Sequence, residues 1–99
     1  MKKNFDQRRR FIIEYLRGQD KAAHVDILNA AFSDAYIDFS GAKAHLMPYG
    51  AHKCKLLATD LSRMQMEGTL TRQRTGITGL RGQGFPTWVY TYHLAEHLR

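Results

Sequence analysis

The chain reads as one small α+β domain, with helices first and a β-hairpin near the C-terminal end. Three observations carry that expectation. Apolar residues recur at helical spacing in three segments before residue 69. The stretch PTWVYTYHL at 86–94 instead alternates, as a half-buried strand does. With 99 residues, of which 43% are hydrophobic and 24% charged, the chain spans a single domain over 1–99 with one modest core.

The elements follow in order. Asp6 is placed to cap a helix running through Arg17, with Phe11, Ile12, Tyr15 and Leu16 as its apolar stripe and Gly18 as its end. Arg8, Arg9 and Arg10 complete a basic N-terminal arm over 1–10 and read either as a solvated face or as phosphate contacts. Residues 21–32 begin extended and turn helical, with Val25, Leu28 and Phe32 at i, i+3 and i+7. Gly41, Pro48 and Gly50 then break the pattern, so 33–50 reads as a long connection with at most a helical turn around Ala42 to Leu46.

AHKCKLLATDLSRMQMEG, residues 51–68, is the strongest helix, taken as 51–67 with Gly68 as its left-handed closing residue. Cys54, Leu57, Ala58, Leu61 and Met64 form its inner stripe. Asp60 is expected to pair with Arg63 or Arg10. TLTRQR reads as a strand, RQRTGITGLRGQG at 72–84 as a loop rich in glycine and arginine, and 86–94 as the returning strand. Trp88, Tyr90, Tyr92 and Leu94 share one face of that strand, and a final helical turn is expected after it.

Charge narrows the function. The net charge of +6 favours a polyanion as partner. Residues 1–19 and 51–84 each carry six basic and two acidic side chains, whereas 20–50 carry two basic and four acidic. Two basic regions around an acidic middle point to a charged face. No apolar run reaches the length of a membrane span, and the lone Cys54 makes no internal disulfide, so a cytoplasmic setting is expected.

Enzyme motifs are weak. H-x6-H-x-C over His45, His52 and Cys54, and H-x3-H over His93 and His97, could suggest zinc, but Cys54 belongs to the apolar stripe. The glycine loop lies between strands, which fits neither a P-loop nor a GxxG loop joining two helices. No nucleophile–base arrangement is visible, so the expectation is a non-enzyme without cofactor or metal.

The helix ending LSRMQMEGTLTRQR, followed by a hairpin, resembles the winged helix-turn-helix family: Leu61, Met64, Gly68 and Leu70 occupy its Leu-x-x-Leu/Met-x-x-x-Gly-x-Leu/Ile pattern. The resemblance covers roughly 6–94 and departs from the family in the long connection at 33–50. It implies three helices with a C-terminal β-hairpin wing, the third helix entering the major groove of double-stranded DNA and the wing touching backbone or minor groove. His52, Lys53, Lys55, Thr59 and Arg63 on the helix, and Arg72, Arg74, Thr75, Arg81 and Gln83 on the wing, would then make the contacts, joined by Arg8, Arg9 and Arg10. The function this implies is a small transcriptional regulator of prokaryotic, phage or plasmid type, acting as a homodimer on an inverted repeat. The competing reading is a winged-helix module, adaptor or inhibitor, that binds protein through the aromatic strand or the 33–50 segment.

Overall fold

The helical stripes and the alternating C-terminal strand assemble into three helices packed on a three-stranded antiparallel sheet, with a second, two-stranded sheet set between helices two and three. The structure is a computed structural model and describes residues 3–18, 23–24, 30–46, 52–76 and 88–98.

Helix α1 spans Phe5–Arg17. Its cap is Asn4 rather than Asp6: the Asn4 side chain accepts from the Gln7 N–H at 2.9 Å, and the Gln7 side chain accepts from the Asn4 N–H at 3.0 Å. This reciprocal capping box satisfies two donors that Asp6, already inside the first turn, could not reach. Ile12, Ile13 and Leu16 point into the core.

Strand β1 is Ala23–His24, an extended piece where one was expected. Helix α2 spans Ala30–Ser40, so the expected connection at 33–50 is helical for its first half. Phe32, Ser33, Tyr36 and Ser40 are buried along it. Ser and Asp are modest helix formers, and tertiary burial of Phe32 and Tyr36 overrides that local preference. Tyr15 packs on Phe32 with ring centroids 4.8 Å apart, and Phe11 stacks on Phe39 at 4.6 Å, fixing α2 against α1.

After Gly41, which has φ +72°, the chain forms β2 at His45–Leu46 and β3 at His52–Lys53, paired antiparallel with His45 opposite Lys53. The expected helical turn at 42–46 is thus replaced by a strand. The third helix starts later than read: α3 spans Lys55–Met66, with Cys54 as its cap residue. Leu57, Leu61 and Met64 are fully buried, and Asp60 is buried beside them.

The end of α3 carries the predicted glycine. Gly68 has φ +86°; its N–H donates to the Gln65 carbonyl, and the Thr69 N–H donates to the Met64 carbonyl at 3.0 Å. That pair of bonds is a Schellman closure, and it turns the chain directly into β4, Leu70–Gly76. Strand β5, Trp88–Leu94, returns antiparallel with Leu70 opposite Leu94, Arg72 opposite Tyr92 and Arg74 opposite Tyr90. β1 pairs with the other side of β5, giving the order β1-β5-β4. A 3-10 turn at Glu96–Leu98 ends the described chain, in agreement with the expected terminal turn. Among the described residues no helix is long and apolar enough to cross a membrane.

Candidate nucleic-acid interface

Leu57, Leu61 and Met64 face the core, so α3 turns its opposite side outward. That side carries Lys55, Ala58, Thr59, Ser62, Arg63 and Met66, at i, i+3, i+4, i+7, i+8 and i+11. Ala58, Thr59, Ser62, Arg63, Met66 and Glu67 line one open groove along it. Ala58 and Ser62 at the centre of the stripe are small and half-buried, Thr59 beside them is exposed, and Met66 stands 84% exposed at the end. Such a face admits close approach by a broad partner, because no long side chain rises from its middle.

Each predicted α3 residue has a distinct standing. Lys55 is exposed at the first position of the helix. The Thr59 hydroxyl donates to the Lys55 carbonyl at 3.0 Å on an exposed side chain that can still accept. The Arg63 guanidinium lies 3.7 Å from the centre of the Phe5 ring, which stacks it flat against the start of α1. His52 and Lys53 are on β3, not α3, because pairing with β2 takes their backbone into a sheet. Ala58, expected in the inner stripe, is instead half-buried on the outward side, because the stripe centred on Leu57, Leu61 and Met64 is too narrow to include it. Ser62 and Met66 were not picked out as contacts, since only charged and strongly hydrogen-bonding side chains drew attention. Their i, i+4 and i+8 spacing, opposite the apolar stripe, was the available signal.

The N-terminal arginines divide. Arg8 donates from Nε to Asp60 at 2.8 Å, from Nη2 to Asp60 at 3.2 Å, and from Nη1 to the Lys3 carbonyl at 2.7 Å. Asp60, 2% exposed, also accepts from the Tyr36 hydroxyl at 2.6 Å. Asp60 therefore pairs with Arg8, and neither Arg63 nor Arg10 takes that place; Arg8 lies on the side of α1 that faces α3, from which it reaches inward. Its Asp60 hydrogen bond raises the Arg8 pKa further, while burial first and the Asp60 bond second push the Tyr36 phenol above its ordinary range. Arg9 donates to Glu67 at 2.6 Å and to the Thr69 hydroxyl at 2.9 Å, clasping the turn between α3 and β4. That bond holds the Glu67 carboxyl below its usual range. Arg10 is exposed on α1.

On the hairpin, Arg72 and Arg74 are exposed on β4 and share a face with Tyr90 and Tyr92. The Arg72 guanidinium sits 4.2 Å from the centre of the Tyr90 ring. Thr75 lies on β4 opposite Val89. Residues 72–76 of the expected loop are therefore paired strand, and Arg81 and Gln83 lie outside the described residues. Tyr92 is buried and Tyr90 packs partly against the core, so these two aromatics are largely spent on the fold. The chain matches no family model, and no curated protein and no solved structure matches it either.

Proposed function

We propose that the chain is a winged helix-turn-helix protein that binds double-stranded DNA, with α3 in the major groove and the β4–β5 hairpin as a wing on the backbone or minor groove. The observation that carries the reading is the outward face of α3, small at Ala58, Thr59 and Ser62 and flanked by Lys55 and Arg63. A helix fills the major groove when its central side chains are short enough for the backbone to approach the base edges. Lys55 and Arg63 supply positive charge at the two ends of that face, and exposed Met66 offers an apolar contact of the kind a thymine methyl accepts.

The connectivity supports the same reading. Three helices in sequence order, then a hairpin whose second strand also pairs with a short strand after α1, are compatible with a winged-helix layout. β4 follows α3 directly, and in this reading its exposed Arg72 and Arg74 would meet phosphates flanking the groove-bound helix. The protein-binding alternative loses one of its aromatic contacts, because Tyr92 is core.

Ser62→Glu tests the reading. It puts a carboxylate at the centre of the α3 face without touching the core, so the melting temperature should hold while duplex affinity in a mobility-shift titration drops at least about tenfold. Unchanged retardation by the variant would remove α3 from the groove. No retardation of any duplex by the wild-type chain at low salt would end the DNA reading itself.

A further inference from the structure

A second basic feature adjoins the outward face of α3 and shares Lys55 with it. A recess of about 300 Å³ opens between the start of α1, the end of α2, β2 and the first turn of α3. Lys3, Arg8, Lys43, His45 and Lys55 line it, together with Ser40, and no carboxylate lines it among the described residues. Arg8 is anchored by Asp60 and the Lys3 carbonyl, which aims a fixed guanidinium with N–H groups still to offer. Lys43 and His45 are exposed at the rim.

The carbonyl end of α2 answers part of this charge. Ser40 is the last residue of α2, and cations near a helix C-terminus are stabilised by its dipole. That accounts for Lys3 and Lys43. It does not account for Lys55, which occupies the first position of α3, at the positive pole of that helix. There Cys54 makes no side-chain cap and the first turn holds no acidic residue. Lys55 and Leu56, in the first turn of α3, line the recess, so the uncapped start of that helix opens beside it.

We propose that this recess binds a phosphoryl anion. The anion would take the cap position that Cys54 leaves open, accept from Arg8, and be closed over by Lys43, His45 and Lys55. The phosphoryl group can belong to a DNA backbone or to a free phosphorylated molecule. Only the first source rests on the DNA-binding reading.

The test has two arms on the full chain. Inorganic phosphate is titrated at constant ionic strength, with chloride as the balancing anion, and backbone amide shifts are followed by NMR. A site gives saturable shifts focused on Lys43, His45, Lys55 and Leu56, with a low-millimolar dissociation constant, and the Lys43→Ala/His45→Ala double variant weakens it at least about tenfold. In the second arm, duplexes carrying single methylphosphonates are compared. A backbone source gives one position whose neutralisation weakens the wild-type chain but leaves the double variant unaffected. Saturable phosphate shifts without that coupling assign the site to a free phosphorylated ligand. Shifts that are linear and spread over all basic residues, together with no coupled position on DNA, overturn the proposal. A duplex that binds normally while both arms fail leaves the α3 reading intact and removes only the recess.

Discussion

At the scale of single residues, Asp60 is the side chain on which three helices converge. It is buried on α3, receives two donors from Arg8 of α1 and one from Tyr36 of α2. Desolvating a carboxylate is costly, and it is offset here only because every contact to it is a donor. Asp60→Ala leaves Arg8 without its counter-ion and should cost about 3 kcal/mol of unfolding free energy, read by urea denaturation. Tyr36→Phe removes one of three donors and should cost about 1–2 kcal/mol. The phenol adds a pH signature. Its folded pKa lies above the ordinary 10.0, so the folded state keeps a proton that the unfolded chain releases. Its contribution is complete below about pH 10 and is lost as pH rises further. Above about pH 10 the melting temperature of the wild type should therefore fall more steeply than that of Tyr36→Phe.

At the scale of elements, what could be read in the sequence depended on how local the cause was. Leu57, Leu61 and Met64 on the inner side of α3, the glycine that closes it and the alternating β5 are legible because spacing and one φ value decide them. The position of α2 was not. Val25 and Leu28 of the expected helix lie outside the described residues, and α2 continues past Phe32 through SDAYIDFS because Tyr36 reaches Asp60 across 24 positions of chain. The β2–β3 pair was hidden for a similar reason, since two-residue strands carry no periodicity. Among the candidate residues, the outward placement of Lys55, Thr59 and Arg63 was legible from their position opposite the apolar stripe. The inward turn of Arg8 was not, because its partner is 52 residues away. The α3–β4 junction yields its own prediction. A Cβ at Gly68 would meet nothing within 4 Å, so space is not the obstacle; the positive φ is. Gly68→Ala should cost about 1–2 kcal/mol through the backbone alone, and Gly68→Asn, which tolerates that region better, should cost less when the two are compared by thermal melting.

At the scale of the whole molecule, charge is the property that reaches beyond contact distance. If α3 and the hairpin together cover about five to seven phosphates, the logarithm of the association constant should fall against the logarithm of salt with a slope near 0.9 per phosphate. Replacing both Arg72 and Arg74 by Ala should flatten that slope by about one to two units, while costing at most about 1 kcal/mol in stability. The sheet order gives those arginines a second consequence. β1 covers one side of β5, whereas β4 ends the sheet, and among the described strands nothing pairs with its outer side. An open strand edge is a template on which another copy of the same chain can continue the ladder. Two copies meeting along β4 would bring arginine against arginine. The double Ala variant should therefore scatter light in a concentration-dependent way at low salt where the wild type does not. The wild type should begin to do so near about 1 M salt, where screening shortens the reach of its charges to about 3 Å. The side chains that the hairpin would offer to a polyanion thus also keep its own edge from growing into a fibre.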